Sequence, residues 1–242
     1  MTNTTMRDKK YQVQRRARLN LAQYQRLLTA LDQQWRRIDT YYILTHRFGS
    51  LAKNNGDLRI RWMGPEPNTW DTYEMLSNKR EHGDIFANMR VRDPRVIDAH
   101  YAQYIACAIE DLGIHPDPWW AKRVTKHHAK HIGTELISSI QHMWGGAASF
   151  GYILEVYHIT IEPDKKEQHL HTIDGFLERY GLVMTPEDQF KATTLDVLAR
   201  NLSTIERGKY PAIVTPEPAL DDSVMQDWVR RGLLDKEYLE HR

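Results

Sequence analysis

The order of elements between His127 and Leu220 constrains this chain most. An apolar stretch with Val124, Ile132, Leu136, Ile140 and Met143 at near-helical spacing breaks at Gly145-Gly146. Phe150 to Ile161 then carries aromatic and β-branched residues on both faces, which favours strand. Glu162-Pro163-Asp164-Lys165-Lys166 has turn chemistry, and Glu167 to Ile173 reads as the returning strand of a hairpin. Short helices are expected from Asp174 to Tyr180 and from Thr185 to about Glu206. A Pro-spaced strip follows, with Pro211, Pro216 and Pro218.

Upstream, Tyr24, Leu28, Leu31, Trp35, Ile38 and Tyr42 form one apolar stripe and predict a single long helix. Phe48 to Pro67 is a break rich in Gly, Asn and Pro. Asp93-Pro94 and Asp117-Pro118 are helix-start signals, with Asp at the N-cap and Pro at the first helical position. The second start would make a helix of the stretch ending at Trp144. The expected fold is therefore mainly α with a prominent β-hairpin, an α+β arrangement. Its expected organisation is a helical N-terminal region over 1–116, a helix, hairpin and helix region with the Pro-rich strip over 117–219, and an acidic C-terminal tail over 220–242.

Composition excludes several classes. No apolar run approaches the ~18 residues of a membrane helix, and Met1 to Lys10 lacks the apolar core of a secretory signal. Cys107 stands alone, so no internal disulfide and no Cys-based zinc site is expected, and a cytoplasmic setting follows. There is no Gly-rich phosphate loop and no GxSxG elbow. The net charge of +1 hides an asymmetry: Met1 to Trp62 carries thirteen Lys and Arg against four Asp and no Glu. A basic segment of that kind suits nucleic-acid phosphate, a solvated face or an acidic partner chain.

His127 and His131 share a face at i, i+4 in the expected helix, and His169 and His171 share one side of the expected strand. Metal ligation and neutral hydrogen bonding both remain open for them, but no carboxylate is placed as in HExxH, and no metal is assigned. The phosphate-contact candidates are Lys165 and Lys166 at the hairpin tip, then Lys126 and Lys130, then Arg15, Arg16 and Arg18. The tip has no large apolar side chain, so it is expected to lie along separated strands rather than to wedge duplex apart.

Taken in order, Ile132-Gly133-Thr134-Glu135-Leu136-Ile137, the hairpin Tyr152 to Ile173, Asp174-Gly175-Phe176-Leu177, and Pro211, Pro216 and Pro218 resemble the N-terminal part of single-subunit RNA polymerases of phages and mitochondria. The resemblance spans Lys126 to Ala219. Ala219 stands where that family has Trp, and no Gly-Arg or His-Asp dipeptide occurs, so the family's catalytic motifs are absent.

The resemblance implies the non-catalytic small subunit of a heterodimeric bacteriophage DNA-directed RNA polymerase in the host-cell cytoplasm. The catalytic aspartates and Mg²⁺ would then sit on a large partner chain, with no cofactor in this one. DNA template, RNA product and phage accessory transcription factors are the other implied partners, and no membrane. The alternatives are a winged-helix-like DNA-binding regulator or a phage virion or assembly protein.

Overall fold

The computed structural model describes residues 11–48, 56–79, 89–91, 94–114, 116, 119–131, 134–146, 148–200 and 208–239. Its first strand, β1 (Tyr11–Leu19), shows the logic of the whole sheet. Gln12, Gln14, Arg16 and Arg18 alternate with Val13, Arg15, Ala17 and Leu19, so one face is polar and the other mostly apolar. Asn20 ends the strand and starts α1 (Leu21–Gln34) through a capping box with Gln23.

The chain then runs β2 (Arg36–Phe48), β3 (Gly56–Gly64), β4 (Thr72–Lys79), β5 (Met89–Val91), β6 (Pro94–Ile97) and α2 (Ala99–Asp111). Next come β7 (Trp120–His131), β8 (Thr134–Gly145), β9 (Ala148–Thr160), α3 (Lys166–Arg179), α4 (Glu187–Arg200) and α5 (Ser223–Arg230). The nine strands form one antiparallel sheet in the order β5-β1-β9-β8-β7-β2-β3-β4-β6. Edge strand β5 also approaches β4, next to the opposite edge, so the sheet curls toward a barrel. Segments 1–116 and 117–219 contribute interleaved strands to this sheet, as β2 pairs with β7 and β1 with β9.

The mainly helical expectation is thus overturned. The stripe from Tyr24 to Tyr42 divides at Trp35, whose extended backbone (φ −121°, ψ 154°) ends α1. Ile38, Thr40, Tyr41, Tyr42 and Ile43 then follow their β propensity into β2. The stretch read as a helix ending at Trp144 is the β7–β8 pair, in register from Ala121↔Trp144 to His131↔Thr134. Asp93 and Asp117-Pro118 lie outside the described residues; Pro94 begins β6, and Asp98 caps α2 by accepting from the His100 N–H. The strand expected over Phe150 to Ile161 is present as β9, but the returning strand is the first half of α3, so there is no hairpin with Lys165-Lys166 at its tip.

The convex face of the sheet carries most of the core. Val13, Ala17, Leu19, Tyr152, Leu154 and Val156 are buried under Tyr24, Leu27 and Leu31 of α1 and Leu170, Ile173, Phe176 and Leu177 of α3. Leu44, Ile60, Trp62 and Trp144 pack against Ala102 and Ala106 of α2 and against Tyr210 and Val214 of the Pro-spaced strip. Asn68 holds that strip by a reciprocal pair with the Val214 N–H and C=O, each 2.8 Å. Glu217 holds it again, lying 2.6 Å from His142 Nδ1, whose Nε2 lies 3.0 Å from Ser149 Oγ. These bonds hold the Pro-spaced strip as a strap across the convex face.

The last helices stop one end of the concave side. Phe190 and Val197 of α4 and Val224, Met225 and Trp228 of α5 pack with Trp120, Met143 and Ile153 of β7, β8 and β9. Gly151 permits the approach: its φ is +75°, and a Cβ there would stand 3.3 Å from Val224 and 3.9 Å from Trp228. Trp228 is fully buried and donates its indole N–H to Asp196 at 2.7 Å. Trp228→Ala is expected to cost about 3–5 kcal/mol, read as the shift in urea unfolding. A loss below about 1 kcal/mol would mean that α5 is a loosely held tail.

Candidate functional site

The enclosed face of the sheet is unusually basic. Antiparallel register places Arg16 and Arg18 of β1, Lys122, Lys126 and His128 of β7, Arg47 of β2, and Arg59 and Arg61 of β3 on the concave side. Glu155 of β9, Glu74 of β4 and Ser139 and Gln141 of β8 share it. Consecutive strands β1, β9, β8 and β7 are linked through Glu155. Arg16 Nε lies 3.0 Å from one carboxylate oxygen, and Gln141 Nε2 donates to the other at 3.0 Å. Gln141 Oε1 accepts from Lys122 Nζ at 2.8 Å. Arg61 lies 3.7 Å from Glu74, and the Lys126 ammonium sits 5.0 Å from the centre of the Tyr41 ring, a cation–π contact.

Electrostatics follow from this crowding. Lys122 has its pKa pulled down to about 7, chiefly because burial disfavours its charge. Glu155 opposes the shift, while Arg61, Arg59 and Arg16 add to it. Arg18, deeper toward the stopped end, is lowered to about 9 by burial and by Arg16. Its guanidinium is sandwiched between Phe190 and Trp228, 4.7 Å from each ring centre, and donates to Thr194 at 3.3 Å. Taken together, these groups make a pocket wall short of negative charge, suited to a polyvalent anion with several oxygens.

The sequence-derived candidates scatter. Arg16, Arg18 and Lys126 belong to the concave face. Lys130 lies in β7 opposite Glu135. Arg15 points the other way and makes a two-bond pair with Asp174 of α3, at 2.9 and 3.1 Å. Lys165 and Lys166 lie at the start of α3, away from the concave face, beside Glu162 at 2.7 Å and Glu167 at 3.9 Å. His127 and His131 lie in strand β7 rather than on a helix, and His169 and His171 lie in helix α3 rather than on a strand. His127 lies 2.7 Å from Asp32, and His169 stacks on His158 at 4.0 Å. Sequence reasoning did not single out Arg59, Arg61, Gln141 or Glu155, and placed Lys122 on a helix. The signal was present in the period-two alternation of Gln12 to Arg18 and of Arg59-Ile60-Arg61-Trp62.

No family model and no curated protein matches this sequence. Solved structures do match in fold. A Pyrococcus horikoshii protein, PH1819, aligns at 13% identity over 76% of this chain and 98% of its own, with a TM-score of 0.61. A Bacillus halodurans protein described as a candidate adenylate cyclase aligns at 13% identity over 74% and 95%, with a TM-score of 0.52. The Hippeastrum protein HpAC1, a candidate adenylyl cyclase with a dominant triphosphatase activity, aligns at 15% identity over 77% and 96%, with a TM-score of 0.53. At these identities the likeness shows a shared fold.

That likeness overturns the polymerase resemblance, and with it the catalytic large subunit, the DNA template and the transcription factors it implied. The winged-helix and virion-assembly alternatives do not fit this sheet either. No helix among the described residues is long and apolar enough to cross a membrane.

The residues of this face do not suit a divalent metal ion. Such ions take six or more oxygen ligands, with carboxylates prominent. On this face Glu155 is committed to Arg16 and Gln141, and Glu74 faces Arg61. Gln12 and Gln14 present neutral amides bonded to one another at 2.6 Å. Among the described residues no three His, Cys, Asp or Glu side chains converge on one point.

Lys122 should lose its charge as pH rises through about 7, whereas ordinary lysines titrate near ~10.4. Competitive acetylation across pH, read by mass spectrometry, should show its amine half-reactive about three pH units below the other lysines. Reactivity in step with the others would contradict the crowded-cation description.

Proposed function

We propose that this chain binds the triphosphate group of a nucleotide or of inorganic triphosphate on its concave face and cleaves a phosphoanhydride bond. The observation that carries the reading is the convergence of Arg16, Arg59 and Arg61 about Lys122, with Glu155 paired to Arg16. Guanidinium groups pair two-to-two with phosphate oxygens, and fixed cations stabilise the charge that develops on transferring and leaving phosphoryl groups. The named activities of two fold neighbours, adenylate cyclase and triphosphatase, both begin at a triphosphate and support the same class.

Proton linkage gives the reading a signature. An anion beside Lys122 favours its charged form, so the pKa of about 7 rises on binding and a proton is taken up. Affinity should therefore fall as pH climbs above about 7, and Lys122→Met should abolish the proton uptake measured by calorimetry in buffers of different ionisation enthalpy.

Arg61→Ala and Lys122→Met are each expected to weaken tripolyphosphate binding by about tenfold or more, ~1.4 kcal/mol, and to reduce orthophosphate release. Arg15→Ala, on the convex face, and the pair Lys165→Ala and Lys166→Ala, at the start of α3, should leave both unchanged. Equal losses from either set, or no binding by the native chain, would overturn the proposal.

A further inference from the structure

We infer that the concave face takes its polyphosphate as the metal-free anion, with Lys122 and the surrounding guanidinium groups supplying the neutralisation that a divalent cation would otherwise supply. This rests on the triphosphate reading and narrows it to one form of the ligand.

Three observations lead there. First, the two carboxylates beside the arginines are engaged, while Asp39 and Glu135, on the same face, stand in register opposite Lys126 and Lys130. Glu155 has Arg16 on one oxygen and the Gln141 amide on the other, each at 3.0 Å, and Glu74 lies beside Arg61. A cation entering at Glu155 would have to displace a guanidinium and break the Gln141 bridge that also orients Lys122. Second, β1 presents amides at Gln12 and Gln14 on the same face, paired with each other. An amide oxygen is a weak ligand for a hard dication, and Gln14 Oε1 already accepts a hydrogen bond.

Third, the field is wrong in sign for a dication. Arg16, Arg59 and Arg61 surround Lys122 closely enough to help drive off its proton, and burial acts in the same direction. A site that disfavours one added positive charge disfavours two more strongly.

The consequence is selective. Magnesium chelated to a triphosphate removes negative charge from the oxygens that the guanidinium groups would grip. Excess magnesium should therefore act as a competitor for the ligand rather than as a cofactor for its binding. For the same reason affinity should climb steeply from orthophosphate through pyrophosphate to tripolyphosphate, since each added phosphoryl group brings charge that no metal on the protein offsets.

The test uses the full chain and two measurements. Sodium tripolyphosphate is titrated calorimetrically at pH 7, once in EDTA and once in excess MgCl₂. Separately, MnCl₂ is titrated into the ligand-free protein and followed by the free-ion EPR signal. Binding in EDTA that weakens by about tenfold or more in magnesium, with no Mn²⁺ withdrawn from solution, is expected. Binding that appears only with magnesium, or Mn²⁺ captured by the free protein, would overturn the inference and leave the triphosphate reading standing. No binding in either buffer would overturn both.

Discussion

The enclosed face of this sheet is lined with like charges, and the rest of the molecule is arranged to tolerate that. A curved sheet ordinarily gains stability by burying apolar side chains on its inner side. Here the inner positions of β1, β3 and β7 hold Arg16, Arg18, Arg59, Arg61, Lys122 and Lys126, which oppose folding through desolvation and mutual repulsion. Stability must come from elsewhere. It comes from the convex face, where α1, α2, α3 and the Pro-spaced strap cover two apolar clusters, and from α4 and α5, which cover a third at the stopped end.

The same constraint explains why polar groups inside are cross-linked, although Arg18 Nε and Nη1 are buried without a hydrogen-bond partner. Glu155 compensates Arg16, Gln141 joins Glu155 to Lys122 and to Ser139, and Phe190 and Trp228 sandwich the Arg18 guanidinium. Each link lowers the cost of holding cations in place before a ligand arrives. A preorganised set of donors needs little reorganisation when charge enters the site, which is the property that phosphoryl chemistry exploits. Positive charge left in excess within a concave face is a cost to the fold, and an anionic ligand offsets it.

That arrangement also decides what was legible in the sequence. β9 was readable because Phe150 to Ile161 is β-branched and aromatic on both faces. β7 and β8 were not, since their enclosed face mixes Lys122, Lys126, Ser139 and Gln141 with Val124 and Met143. Val124, Leu136, Ile140 and Met143, drawn from both faces, then mimic a helical stripe. Tyr24 to Tyr42 misled for a related reason: an amphipathic helix runs directly into a strand at Trp35, and the apolar spacing stays in phase across the junction.

Arg16, Arg18 and Lys126 were found as basic residues, but their convergence with Arg61 depends on sheet curvature between strands far apart in sequence. The strap was seen as a Pro-spaced strip, yet Asn68 and His142, the partners of its Val214 and Glu217, lie 146 and 75 residues away. No local pattern contains that information.

The central claim is that the concave face is a polyphosphate site. A crystal structure of the chain soaked with tripolyphosphate tests it most directly. The account predicts phosphate density bounded by Lys122, Arg16 and Arg61, with the Arg16–Glu155 and Arg61–Glu74 pairs loosened as the guanidinium groups turn to the anion. Phosphate bound instead at Lys165 and Lys166 at the start of α3, with the concave network unchanged, would contradict it.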